Sequence, residues 1–192
     1  EILSGLVGSE MCIRDRNYPF LAQNEFLCMS VARKAGIRVP DFWLSDDGTL
    51  FVMRRFDLAG NEQLGFEDMA VLLRKSAQEK YLSSYETVAQ MIGLLCGANR
   101  TESLARYFEY VALSVLVRNG DAHLKNFGLL YRHPGAAPAE LAPLYDVVTT
   151  SVYAIDDPQS GRKLSDRTLA LKLNRNCLLY TSDAADDSLR VD

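Results

Sequence analysis

Apolar residues recur at helical spacing along several stretches of this chain and cluster in short runs between turn residues. Phe26, Leu27, Met29, Val31, Ala32 and Ala35 give residues 24–35 one apolar face, and Gly36 stops the run, which predicts an amphipathic helix closed by a glycine. Phe42-Trp43-Leu44 and Leu50-Phe51-Val52-Met53 flank Asp46-Asp47-Gly48; two apolar runs around an Asp-Gly turn predict a hairpin. Phe66-Glu67-Asp68-Met69 reads as the start of a helix through Leu73. Ser83-Ser84-Tyr85-Glu86 has the spacing of a capping box and predicts a helix to about Cys96. The longest periodic stretch is expected to be capped by Thr101 and to run to Val117. Its core-facing stripe is expected to be Leu104, Phe108, Val111, Ala112, Val115 and Leu116. Phe127-Gly128-Leu129-Leu130-Tyr131 and Thr168–Leu173 read as short strands. No internal repeat and no break suggests a second domain, so the expected class is α+β, mainly α.

The polar segment between the longest helix and the strand that follows it carries the chemistry. It reads Asn119-Gly120-Asp121-Ala122-His123-Leu124-Lys125-Asn126, and a second acid follows in Leu144-Tyr145-Asp146. Asn126 lies five residues after Asp121, and Asp146 twenty after Asn126. Protein kinases use such a set: one Asp receives the substrate hydroxyl proton, while an Asn and a later Asp hold Mg²⁺. Phosphoryl transfer is mostly positioning and charge neutralisation, so it needs a carboxylate beside the nucleophile and hard oxygen ligands for the metal. A Gly-, Asp- and Asn-rich loop after a helix is also the composition of a plain solvated turn. His123 is read as an orienting group, because His133 is the one other histidine and no cysteine pair has zinc-ligand spacing. Lys125 is read either as neutralising phosphate charge or as a solvated lysine.

The combination of Asn119-Gly120-Asp121, His123, Lys125-Asn126 and Leu141-Ala142-Pro143-Leu144-Tyr145-Asp146 closely resembles the HipA family of serine/threonine kinases, the toxins of bacterial toxin–antitoxin pairs. The likeness covers roughly residues 23–155. It implies a protein-kinase-like C-lobe with a small hinge hairpin, most of the N-lobe lying outside this chain. It implies ATP and Mg²⁺ as cofactors, Asp121, His123 and Lys125 as catalytic residues, and Asn126 and Asp146 as metal ligands. Met53-Arg54-Arg55-Phe56-Asp57 is similar to the family's R-F-D signature after the hinge, so Met53, Arg54, Arg55 and Phe56 are expected to line the adenine slot. Asn24-Glu25 also follows the family pattern, with Glu25 either reaching towards an ATP-binding lysine or serving as a first-turn acid. Phe66 departs from the family's Q-E-D-M, and Leu82-Ser83-Ser84 stands where the family carries a Gly-rich turn. The implied partners are a helix-turn-helix antitoxin of the HipB type, DNA only through that antitoxin, and a protein substrate with a Ser/Thr hydroxyl. The implied setting is cytoplasmic, without a membrane. The alternatives are a small-molecule phosphotransferase on the same fold, since the acid set does not identify the acceptor, and a non-catalytic antitoxin-binding, co-repressor lobe. Without the phosphate-covering loop and the ATP-binding lysine, the chain alone is expected to transfer no phosphate.

Both ends read as translated sequencing adapter. Residues 6–15, Leu-Val-Gly-Ser-Glu-Met-Cys-Ile-Arg-Asp, translate the transposon end used in tagmentation libraries, and residues 177–186 begin as its reverse complement. Residues 1–16 and 177–192 are therefore set apart from the native segment 17–176, a partial HipA-like C-terminal domain, and are expected to contribute nothing to the core. This changes the charge picture. Three of the 21 basic and seven of the 25 acidic residues lie in the ends, so the formal charge of −4 belongs to them. The neutral remainder gives no global field for nucleic acid or anionic membrane. Cys28 and Cys96 remain, both in apolar helical patterns, as expected of buried free thiols in a reducing compartment.

Overall fold

The computed structural model describes residues 18–60, 62–135, 138–156, 163–165, 168–173 and 177–179. The first helix, α1 (Leu21–Lys34), starts three residues before the expected Asn24, which places Glu25 beyond the first turn. Gly36 closes it at φ +81°: its amide donates to the Arg33 carbonyl and that of Ile37 to the Ala32 carbonyl, both at 3.1 Å. This double bond pattern needs a left-handed residue, which glycine adopts without a Cβ penalty. The predicted hairpin is present as β1 (Phe42–Leu44) and β2 (Phe51–Met53), antiparallel, with Phe42 opposite Met53. A second hairpin, β3 (Leu58–Ala59) with β4 (Glu62–Gln63), follows.

Residues 66–68 depart from the expected helix. They lie in β5 (Gly65–Asp68), and the helix α2 is only Met69–Leu72, with the Asp68 side chain accepting from the Val71 amide at 2.9 Å. The reason is tertiary: β5 pairs antiparallel with β6 (Gly128–Tyr131), which also carries β7 (Glu140–Leu141) on its other edge. The ladder satisfies backbone groups that four residues cannot satisfy alone. Gly128 fits beneath the Phe66 ring, where an added Cβ would lie 2.3 Å from a ring carbon.

Helix α3 (Tyr85–Leu95) is capped by Ser84, whose hydroxyl accepts from the Thr87 amide at 3.2 Å, one residue later than the Ser83–Glu86 box that the spacing predicts. Helix α4 (Arg100–Leu116) begins one residue before Thr101, without a side-chain cap. The predicted stripe holds only in part: Leu104, Val111 and Val115 are half-buried against the core, but the fully buried face lies beside them. Ser103, Tyr107, Tyr110, Leu113 and Ser114 are buried, while Phe108 is 73 % and Leu116 80 % exposed. Hydrogen bonds explain the shift. The Tyr107 hydroxyl donates to the Tyr85 carbonyl (3.0 Å), the Tyr110 hydroxyl to the Ala142 carbonyl (3.1 Å), and the Ser114 hydroxyl to the Tyr110 carbonyl (2.8 Å). The Ser103 hydroxyl accepts from the Leu141 amide. Buried polar groups are tolerated when paired, so this face takes hydroxyls into the core.

The strands β8 (Ala154–Asp156) and β9 (Lys163–Ser165) pair antiparallel, as do β10 (Thr168–Leu173) and β11 (Cys177–Leu179). Strand β10 is the expected late strand and buries Leu169, Ala170 and Leu171. Strand β11 lies in the stretch read as adapter; its contact with β10 is main-chain pairing, which an extended edge accepts from any sequence. Residues 1–16 lie outside the described residues. One core joins α1, α3, α4 and the β5-β6-β7 sheet through Met29, Met69, Val88, Ile92, Leu124, Leu129 and Leu171. Cys28 and Cys96 are buried and free within it, and burial pushes both thiols up. Among the described residues no helix is long and apolar enough to cross a membrane.

Candidate active site

The loop after α4 is fixed before any functional side chain is placed. Arg118 takes the left-handed conformation (φ +54°), its amide bonding the Val115 carbonyl (3.2 Å) and the Asn119 amide the Ser114 carbonyl (2.8 Å). That is a Schellman ending built without glycine, and it turns the chain sharply out of the helix. Asn119 is buried, and its side-chain oxygen accepts from the Asp121 amide at 3.0 Å, the turn a short polar side chain makes on its own backbone. Thr150 fastens this bend from outside. Its hydroxyl accepts from the Gly120 amide (2.9 Å), and its amide (3.1 Å) and hydroxyl (3.2 Å) both donate to the Arg118 carbonyl. From the other side, the Tyr85 hydroxyl reaches the Ala122 carbonyl at 3.4 Å.

Residues Leu124–Asn126 make one 3-10 turn, with Leu124 fully buried beneath it. The His123 amide donates to the Asp121 carbonyl (2.8 Å) and to Oδ1 of Asn126 (3.2 Å). Nδ2 of Asn126 donates to Oδ2 of Asp146 at 2.5 Å. Asp121, His123, Asn126 and Asp146 are thus joined in one hydrogen-bonded chain, although Asp146 comes from a separate segment. Asp146 sits at φ +56°, a backbone conformation costing roughly 1–3 kcal/mol for a non-glycine residue and found most often where a side chain must be aimed.

The side chain of Asp121 is about one-third exposed, and its Oδ1 accepts from the Tyr81 hydroxyl at 2.6 Å. His123 is buried; its Nε2 lies 2.6 Å from Nζ of Lys80 and 3.7 Å from Oδ1 of Asp121. With Lys80 as an ammonium, which only donates, Nε2 accepts and the ring proton is assigned to Nδ1, a nitrogen buried without a hydrogen-bond partner. Burial holds the imidazole below its ordinary pKa; Asp121 pulls it up, and Lys80 and Lys125 push it further down. The Lys125 side chain is exposed, while its carbonyl accepts from the Tyr145 hydroxyl at 2.7 Å. Burial, with Asp146 and Asp68 nearby, pushes the Tyr145 phenol well up, so it remains a donor.

The residues expected to line the adenine slot divide. Phe56 stacks on Tyr145 (centroids 5.3 Å apart) and meets Phe66 edge-on at 5.4 Å, which brings it beside the Asp146 segment. Met53 packs against the core. Arg54 pairs with Asp41 at 3.1 Å and lies over Trp43, and Arg55 is forked onto Asp57. Both arginines are engaged locally, and no bond joins them to Asp121, Asn126 or Asp146 among the contacts of the described residues. Lys80, Tyr81, Tyr145 and Thr150 complete the site, and the sequence reading missed their roles. Only Tyr145 carried a signal, its place beside Asp146.

No group of three or more His, Cys, Asp or Glu residues able to hold an ion occurs among the described residues. Asp146 offers a carboxylate, while Asn126 meets it with Nδ2 and turns Oδ1 to the His123 amide; with the amide turned over, the pair would present the two oxygens that fit Mg²⁺, which takes one or two protein ligands and completes its shell with phosphates and waters.

The fold and site together define an α+β lobe that carries a kinase-type Asp–Asn–Asp set on two converging loops. A family model described as the HipA-like C-terminal domain matches residues 8–188, and the chain belongs to that family. It is 25 % identical to a Sinorhizobium fredii protein named "Putative kinase Y4dM", over 92 % of this chain and 46 % of that protein. It is 32 % identical to a Haemophilus influenzae protein named "Putative kinase", over 86 % of this chain and 54 % of that protein. The chain therefore spans about half the length of these relatives. Among solved structures, the Shewanella oneidensis MR-1 toxin–antitoxin complex of HipA, HipB and operator DNA matches with a TM-score of 0.64 at 20 % identity, over 91 % of this chain and 44 % of that one. At that identity the likeness concerns the fold.

Proposed function

We propose that this chain is part of an ATP-dependent, HipA-type serine/threonine kinase and supplies its acceptor and metal-holding half. The observation that carries the reading is the contact of Asn126 with Asp146, made on the same loop that presents Asp121. Asp121 takes the proton of the acceptor hydroxyl as that oxygen bonds the γ-phosphorus and the bond to ADP breaks. Asn126 and Asp146 would hold Mg²⁺, which when bound neutralises phosphate charge. Lys125, exposed beside them, adds positive charge near the transferring group. Phe56 stacked on Tyr145 offers a flat apolar edge suited to a nucleobase. For the whole protein, the Shewanella complex of HipA with HipB and operator DNA supports a HipB-like antitoxin as partner; DNA reached through that antitoxin and a cytoplasmic setting belong to the same reading.

The test uses the full-length gene product with Mg²⁺, γ-labelled ATP and a Ser/Thr-containing protein acceptor. Label transferred by the wild type, lost in Asp121→Asn and dependent on Mg²⁺, is the expected result. Transfer that persists in Asp121→Asn, or label found only on small-molecule alcohols, overturns it.

A further inference from the structure

We propose that Tyr81 and Lys80 are positioning residues of the phosphoryl-transfer centre: Tyr81 orients the Asp121 carboxylate and Lys80 keeps the His123 ring from capturing it. The inference rests on Asp121 being the base, as read above.

The two residues lie in the turn after the 3-10 helix Ala77–Glu79, some forty residues before the loop they touch. The turn is attached to that loop by its backbone, because the Leu124 amide donates to the Lys80 carbonyl at 3.1 Å. Leu124 is fully buried, so this attachment is not an exposed contact that comes and goes. The side chains then close on one another. The Tyr81 ring meets the His123 ring edge-on at 5.1 Å, and Nζ of Lys80 lies 4.9 Å from the Tyr81 ring centre. The phenol has one proton to give, and it goes to Oδ1 of Asp121 at 2.6 Å.

A carboxylate has two oxygens. Fixing Oδ1 with a donor stops rotation about the Cβ–Cγ bond and leaves Oδ2 as the site that receives a proton. A base held in one orientation acts from the geometry it needs, and a freely turning one does so only part of the time. His123 is the competitor. Its Nε2 is 3.7 Å from the same Oδ1, and a proton on Nε2 would turn the ring into a donor to the base. Lys80 prevents this by donating to Nε2 at 2.6 Å, which occupies the lone pair and assigns the ring proton to the other nitrogen. The pair thus does two separate tasks on one carboxylate.

Two measurements test the proposal. In the full-length protein, Tyr81→Phe removes only the hydroxyl and is expected to lower kcat about tenfold, a fraction of the roughly 10²–10⁴-fold a general base contributes, while the Kd for nucleotide stays unchanged. Lys80→Met is expected to show the same split. In the 192-residue chain, a double-mutant cycle of Tyr81→Phe and Asp121→Ala should be non-additive in thermal midpoint, the double variant melting no lower than the less stable single one. If wild type transfers phosphate and Tyr81→Phe is unchanged or faster, Tyr81 merely occupies the acceptor's place; the positioning role then falls and the kinase reading stands. Equal losses in kcat and nucleotide affinity would mark a structural role and overturn it too. Additive shifts in the cycle overturn the contact itself. A wild type that transfers no phosphate overturns both readings.

Discussion

The side-chain amide of Asn24 closes on the backbone of Thr149 from both sides. Nδ2 donates to the Thr149 carbonyl and Oδ1 accepts from its amide, each at 2.9 Å, across 125 residues of sequence. The same Nδ2 also donates to the Tyr153 hydroxyl at 3.1 Å. Thr149 immediately precedes Thr150, which fastens Arg118 and Gly120, so α1 indirectly holds the loop that carries Asp121. Asn24→Ala should therefore act beyond its own helix. With about 1 kcal/mol for each bond lost and the Thr149 groups left partly unpaired, a destabilisation of about 2–3 kcal/mol is expected. Urea unfolding of the chain measures it, and a loss under 0.5 kcal/mol would show that the clamp is not closed in solution.

Asp121 and Asp146 should fail differently. In the full-length protein, Asp121→Asn is expected to abolish transfer with nucleotide affinity retained, because the role proposed for its carboxylate is on the acceptor hydroxyl and not on the nucleotide. Asp146→Asn should weaken Mg²⁺-dependent nucleotide binding, since it replaces the carboxylate that Asn126 touches. Titration calorimetry with and without Mg²⁺ separates the two; equal affinities would undo the division of roles.

Gly128→Ala tests the join between sheet and aromatic cluster. The added methyl would lie 2.3 Å from a Phe66 ring carbon and 3.1 Å from the Glu67 carbonyl oxygen. The ring must leave its edge-on contact with Phe56. A loss of about 1–3 kcal/mol is expected, the usual scale of overpacking, and Phe66→Ala in the same chain should recover part of it. Recovery is the informative outcome, because the contact with the Glu67 carbonyl remains in the double variant.

The hairpin turn should be acid-resistant. Asp47 accepts from the Ser45 hydroxyl (2.6 Å), the Thr49 amide (3.0 Å) and the Thr49 hydroxyl (2.9 Å). These bonds, that of Ser45 first, lower its pKa from 3.8 to about 2. A carboxyl depressed on folding stabilises the fold above its unfolded pKa and loses that contribution as pH falls through the folded value. The turn should thus stay closed at pH 4 and open as pH falls towards 2. An NMR titration of the Asp47 carboxyl with a midpoint near 4 would contradict the geometry.

Much of this protein was written locally. The Asp121–Asn126 spacing, the glycine that ends α1, the serine that starts α3 and the Asp-Gly hairpin all act within one or two turns of chain, so the sequence alone determined them. The tertiary structure decided the rest. It chose the buried face of α4, because tyrosine and serine hydroxyls found the Tyr85 and Ala142 carbonyls and the Leu141 amide; a hydrophobic pattern counts such residues as polar and sends Phe108 and Leu116 inward instead. It made Gly65–Asp68 a strand, because β6 offered a ladder. It also set Lys80 and Tyr81 on His123 and Asp121, and Asn24 on Thr149. Those pairings depend on donors meeting acceptors across 40 to 125 residues, and a one-dimensional pattern holds no record of which distant groups the folded backbone brings within 3 Å.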